Sequence, residues 1–346
     1  MNQRTEPSAA VVGTTGHVLA LCGGIGGAKL ALGLYQVVPP DRLTIVVNTG
    51  DDFEHLGLHV SPDLDTVLYT LAGWSDPVRG WGRADETWHF MESLKALGGP
   101  DWFRLGDRDL AMHVIRTRWL QRGETLTAFA RHLGQRMEIR AHILPMSDDP
   151  VRTLVDTPEG SLAFQNYFVE RACKPVVTGI RFDGSERALP SPELLQAFAR
   201  PDLAAIVICP SNPYLSIDPL LSIAGIRTAM SATSAPVVAV SPLVGGKAVK
   251  GPTAKIMAEL GIPATAQAIA AHYGDLLSGL VIDEDDAAEA PRLGIPTEVT
   301  STLMRDLNDR RRLARHVLLF ANNIGVNRAA VPGTKHGVRR AAAVSK

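Results

Sequence analysis

No stretch of this 346-residue chain is apolar for eighteen residues, close to the length a membrane-spanning helix needs. The nearest approach, Val18 to Val38, is broken by five glycines and by Lys29. A surplus of one charge is also missing. Lys and Arg number 35 against 36 Asp and Glu, a net charge of −1, so the basic excess of a bulk nucleic-acid binder is absent. Cysteine is scarce. Cys22, Cys173 and Cys209 show no CxxC spacing, which excludes a disulfide framework and a zinc ribbon and fits a reducing cytoplasm. Residues 1–16 hold no continuous apolar core, so no signal peptide is expected. There is no repeat at solenoid periods and no GxSxG elbow, and the histidines are not read as a zinc site. With 45% hydrophobic and 21% charged residues, the remaining class is a cytoplasmic α/β protein with ample chain for a core.

The apolar run His17–Cys22 reads as a strand and ends in Gly23-Gly24-Ile25-Gly26-Gly27-Ala28-Lys29. A helical pattern then runs to about Val38 and stops at Pro39-Pro40, and Arg42–Asn48 is a second buried strand. Strand, helix and strand make a right-handed βαβ unit. Ser61-Pro62 predicts a helix start with Ser61 as N-cap. Helices are expected at 86–97, 107–121 and 126–133, and strands at 138–144, 151–156, 161–167 and 176–182. Sheet returns at 203–209, 236–241, 279–283 and 298–300, before a last helix over 307–322. The expected fold class is α/β: a Rossmann-like, mostly parallel sheet flanked by helices, with a helical and meander insertion. Residues 17–75 and 200–325 form the core, 76–199 the insertion, 1–16 a flexible start and 326–346 a disordered tail.

A glycine loop between strand and helix is where backbone N–H groups and a helix N-terminus hold phosphate. Glycine lets the backbone approach an anion, and Lys29 adds a cation one turn in. The loop is neither a Walker A, lacking GK[ST], nor a clean dinucleotide fingerprint, because the second strand ends in Asn48 rather than an acid. Four aspartates follow within fifteen residues: Asp51, Asp52, Asp63 and Asp65. Carboxylates beside a phosphate loop suit Mg²⁺, although Asp in a first helical turn or a tight turn is also ordinary. In Arg104-Leu105-Gly106-Asp107-Arg108-Asp109, which continues to His113, Arg116 and Arg118, the arginines suit phosphate or carboxylate. The plainer reading makes Asp107 a cap and Arg116 a solvated face. Ser211-Asn212 and Gly245-Gly246-Lys247, with Lys250-Gly251, are further polar loops after strands. Trp74, Trp81, Trp88 and Trp102 make a subdomain core or a stacking wall for a planar ring.

LCGGIGGAKLALGL, VVNTGDDFEHLGLHVSPDLDTVLYTLAG, RGWGRADETW, DWFRLGDRDLAMHVIRT, CPSNPYLSI and SPLVGGKAVKGPT occur in order over residues 17–325. In these segments the sequence resembles the 2-phospho-L-lactate transferase family of coenzyme F420 biosynthesis. The resemblance implies a Mg²⁺-dependent transfer from a guanosine diphosphate-linked small acid to the ribityl hydroxyl of a deazaflavin, 7,8-didemethyl-8-hydroxy-5-deazariboflavin (Fo), with release of GMP. It implies catalytic roles for Asp65 and Asp51, and a metal held by Asp51, Asp65, Asp52 and Asp63. Asp65, Arg108, Arg104 and Thr49 would meet the deazaflavin. Gly23, Gly24, Gly26, Gly27, Lys29, Ser211, Asn212, Gly246 and Lys247 would meet the nucleotide. A homodimer without nucleic-acid or membrane partners is expected. The rival readings are a non-catalytic nucleotide-sugar-binding regulator of the same fold and a nicotinamide dehydrogenase, which Asn48 weakens.

Overall fold

Every residue of the strand β1 (His17–Cys22) is buried, as its unbroken apolar run requires of a strand covered on both faces. In the computed structural model, which describes residues 16–330, six further strands join it. They are β2 (Leu43–Val47), β3 (His142–Pro145), β4 (Leu203–Ile208), β5 (Val237–Val240), β6 (Gly279–Ile282) and β7 (Thr297–Val299). All neighbours are parallel, in the order β7-β6-β5-β4-β1-β2-β3. The chain starts at the centre, works out to β3, and returns to β4 before working outward on the other side. That reversal opens a crevice beyond the carboxyl ends of β1 and β4, where open α/β sheets take their ligands.

The pleat divides the core in two. Leu19 and Leu21 of β1, with Ile206 and Ile208 of β4, face one apolar layer. Val18, Ala20 and Cys22 face the other, with α1 (Gly24–Val37), α2 (Pro62–Ala72) and the C-terminal helix Leu307–Ala330. Gly33 lets α1 lie directly on that last helix, because a Cβ there would meet the Arg310 backbone. Each fully buried Leu or Ile contributes about 1.5–3 kcal/mol.

Residues 76–199 supply α3 (His89–Ala96), α4 (Asp107–Gln121), α5 (Leu126–Arg136) and a three-stranded antiparallel sheet from residues 152–183. They also supply β3, an edge strand of the main sheet, so the segment expected as an insertion is stitched into the core. The expected strand 161–167 ends at Ala163, and Asn166–Glu170 coils into a π-helical turn. The last helix runs eight residues past its expected end at 322, to Ala330. The expectations for residues 1–15 and 331–346 lie outside the described residues. Among the described residues no helix is long and apolar enough to cross a membrane.

Candidate functional site

A cleft of about 700 Å³ occupies the crevice. Its floor is the glycine loop, and the segments after β2 and β4 form its sides. The loop's glycines are required by close approach. A Cβ at Gly23 would collide with the Asp63 carboxylate, at Gly26 with the Pro210 carbonyl, and at Gly27 with the Ser211 hydroxyl. Gly24 also needs its freedom, with φ +64° at the first residue of α1. The Gly23 N–H donates to Ser211 Oγ at 3.1 Å and the Gly24 N–H to Asp63. Both amides therefore already serve protein acceptors.

Asp51 and Asp63 are buried together. The Asn48 amide bridges them, donating to Asp51 Oδ1 at 3.3 Å and to Asp63 Oδ2 at 3.0 Å. Burial pushes the Asp63 carboxyl up to about 6. It drives Asp51 well above the usual range, with the Asp63 and Asp52 charges adding to the effect. A loop aspartate and a helix aspartate beside one Asn thus become a pair that lacks a cation among the described residues.

Asp65, two residues further along α2, sits in the opposite situation. Arg116 is wholly buried and donates through Nη2 to Asp65 Oδ1, while its Nη1 donates to the His59 carbonyl at 3.1 Å. His113 Nδ1 lies 3.7 Å from Asp65 Oδ2, and His113 Nε2 lies 3.3 Å from Asp109 Oδ2. The Tyr69 hydroxyl donates to Asp109 Oδ1 at 2.6 Å. Burial raises Asp65, and the Arg116 and His113 charges oppose it. For Asp109, burial is outweighed by His113 and the Tyr69 hydroxyl, and its carboxyl falls below the usual range. Asp65, Asp109 and His113 offer ligand atoms within 4.8 Å of one another, and Asp65 Oδ2 is buried without a hydrogen-bond partner. The donor set fits a divalent cation.

Arg116 is therefore not a solvated face. Asp109, His113 and Arg116 share one face of α4, a stripe at i, i+4 and i+7 that the sequence displayed. Asn48 left no such signal, because its role depends on two acids meeting only in the fold. Asp107 caps, but not its own helix: its carboxylate accepts from the N–H groups of His89 and Phe90, at the start of α3. In return Glu86 accepts from the N–H groups of Arg108 and Asp109, at the start of α4, at 2.9 and 2.8 Å. Ser61 occupies the N-cap position without capping α2; its hydroxyl donates to Asp52 Oδ2 at 2.7 Å.

Of the expected site residues, Gly23, Gly24, Gly26, Lys29, Asp51, Asp63, Asp65, Arg104, Ser211 and Asn212 line the cleft. Thr49, Asp52, Gly27, Arg108, Gly246 and Lys247 do not. Asp52 turns to Ser61 and His59 instead, and burial pushes its carboxyl up to about 7. The Gly245 and Gly246 amides donate to the Asp286 carboxylate, at 3.1 and 3.0 Å, rather than standing open to a phosphate. Trp81 and Trp102 line the cleft, with Phe103 beside them and Phe164 and Phe168 stacked at 5.3 Å; Trp74 and Trp88 do not line it. His55 and His59 have the four-residue spacing of a helical ligand pair. They lie on opposed strands of a hairpin, where His55 pairs with Leu58 and His59 with Glu54.

The sequence profile of the 2-phospho-L-lactate transferase CofD family matches residues 18–318. The chain belongs to that family. It is 40% identical to a phosphoenolpyruvate transferase of Streptomyces coelicolor, over 89% of this chain and 99% of that protein. It is 39% identical to a 2-phospho-L-lactate transferase of Methanosarcina mazei, over 87% of this chain and 99% of that one. A crystal structure of a UPF0052-family protein from Bacillus halodurans superposes with a TM-score of 0.59 at 16% identity, covering 88% of this chain and 100% of the other. That likeness concerns the fold alone. In this CofD-family chain, the acids, the aromatic walls and the glycine loop all meet in one cleft.

Proposed function

We propose that this chain transfers a phosphorylated small acid from a guanosine diphosphate conjugate to the terminal ribityl hydroxyl of the deazaflavin Fo. The hydroxyl oxygen bonds to the acid-side phosphorus and gives up its proton to water, the diphosphate bridge breaks, and GMP leaves with the bond's electron pair. The observation that carries this reading is the buried Asp51–Asp63 pair with its bridging Asn48, placed where the glycine loop meets the Ser211 loop. Relatives that carry phosphoenolpyruvate transferase and 2-phospho-L-lactate transferase names across nearly their full lengths support it.

A divalent cation fits this chemistry, because the pair is uncompensated and Asp65 Oδ2 has no hydrogen-bond partner. Asp51, Asp63 and Asp65 would hold Mg²⁺, which supplies charge neutralisation on the diphosphate and a lowered hydroxyl pKa. The protein's own contribution is positioning. Arg116 orients Asp65, Asn48 fixes the separation of Asp51 and Asp63, and the walls of Trp81, Trp102, Phe164 and Phe168 suit a planar ring and exclude water. Arg104, which stacks 4.2 Å from the Trp88 ring, lines the acceptor side. In this reading the working protein is a homodimer.

The test combines purified protein, the deazaflavin, Mg²⁺ and, separately, the lactyl, enolpyruvyl and glyceryl guanylylated donors, with mass spectrometry of products and GMP. A new phosphodiester from at least one donor is the expected result. Tight guanine-nucleotide binding with no product from any donor would replace the transferase with the binding regulator.

A further inference from the structure

Two segments far apart in sequence meet at the exposed edge of the cleft. Arg79, Trp81 and Gly82 line it from the insertion, and Val249, Lys250 and Gly251 from the segment after β5. They touch through one polar link, in which Lys250 Nζ donates to the Arg79 carbonyl at 3.3 Å. The contact is close enough that a Cβ at Gly80 would lie 3.3 Å from Lys250 Nζ and 3.5 Å from Ile25 of the glycine loop. The clasp therefore adjoins that loop at Ile25.

Four Lys and Arg side chains line the cleft: Lys29, Arg79, Arg104 and Lys250. Three are enclosed or stacked against the protein. Lys29 is half-buried, and its Nζ donates to the Met304 carbonyl at 3.0 Å. The Arg79 guanidinium lies near the Trp81 and Trp88 rings and 3.6 Å from Asp76, and Arg104 packs on Trp88. Lys250 is exposed and has no carboxylate partner among the described residues; a neutral carbonyl is its hydrogen-bond acceptor. An ammonium gains more from an ionised acceptor than from a neutral one. Asp51, Asp63 and Asp65 line the cleft below, so a cation at its exposed edge is where a polyanionic ligand finds opposite charge.

We propose that Lys250 is the positioning residue for the diphosphate of the donor, moving from the Arg79 carbonyl to a phosphate oxygen and carrying the Val249–Gly251 rim over the bound nucleotide. This rests on the transferase reading for the donor's identity, and it gives Lys250 the role that the sequence suggested for Lys247. Lys247 lies off the cleft, on a hairpin whose glycine amides are held by Asp286.

The probe is GDP, with binding measured by calorimetry in Mg²⁺ for the wild type, Lys250→Met and Lys250→Arg. Lys250 is exposed, so both variants should fold, which circular dichroism checks. Lys250→Met should weaken GDP binding roughly tenfold or more, and Lys250→Arg should restore it to within about threefold. In turnover, the donor KM of Lys250→Met should rise more than kcat falls, with the deazaflavin KM unmoved. GDP bound by Lys250→Met as tightly as by the wild type overturns the proposal, even in a protein that transfers normally. The expected loss in a protein that forms no phosphodiester upholds Lys250 and removes the transferase. Wild-type protein that binds no GDP overturns the proposal outright.

Discussion

Two acid clusters lie side by side in this cleft and are handled in opposite ways. Asp51 and Asp63 share a neutral Asn48 and no cation among the described residues, so burial raises both and the Asp63 charge raises Asp51 further. Asp65 and Asp109 share Arg116, His113 and the Tyr69 hydroxyl, which hold Asp109 below its usual range although it is buried too. The difference separates a cluster in which the protein supplies its own cations, leaving only Asp65 Oδ2 without a hydrogen bond, from one in which it supplies none. A fold tolerates the second only where binding repays it, because an unpaired buried charge costs several kcal/mol.

Removing the balance should produce the largest effect. Arg116→Met leaves Asp65 buried beside Asp109 without its guanidinium, and stability should fall by about 3–5 kcal/mol in urea unfolding. A change under about 1 kcal/mol would mean that Asp65 is not held by that pair.

Asp63→Asn acts on the unbalanced cluster, and its effect should have the opposite sign. The Asp63 carboxyl titrates near 6 in the folded chain against about 3.8 unfolded, so between these values the folded state binds more protons. Wild-type stability therefore carries a penalty that grows as pH rises from about 4 to 6 and is complete above. In chelator, the variant should gain on the wild type over that window, by about 3 kcal/mol at pH 7. Added Mg²⁺ should stabilise the wild type and shrink the gap. A pH-independent difference would show that Asp63 is not the strained member.

The smallest effect sharpens the contrast from outside the cleft. Glu86→Gln weakens two charge-assisted caps at the start of α4, the helix that carries Asp109, His113 and Arg116. It should cost about 1 kcal/mol of stability in thermal unfolding. Activity should fall through α4 alone, leaving GDP affinity unchanged.

The amino-acid sequence by itself determined the alternation of strands and helices, because buried parallel strands must be apolar runs and helices must keep a 3.6-residue period. β1 spans His17–Cys22 as its pattern requires, and β4 and β6 each end one residue short of their expected ends. It also placed the glycine loop, the four aspartates and the Ser211 loop at strand ends, where a parallel sheet binds. The sequence did not carry their partners. Arg116 reads as a surface residue until α4 packs on the hairpin at His59, and Asp107 reads as the cap of its own helix until α3 arrives beside it. Gly246 and Lys247 read as a phosphate loop until Asp286, some forty residues on, takes the amides. Each of these is a long-range meeting of charged or polar groups, and local propensity holds no information about it. Tertiary structure alone decided which acid is paired, which cation stays exposed at the cleft, and so where this cleft remains open to a ligand.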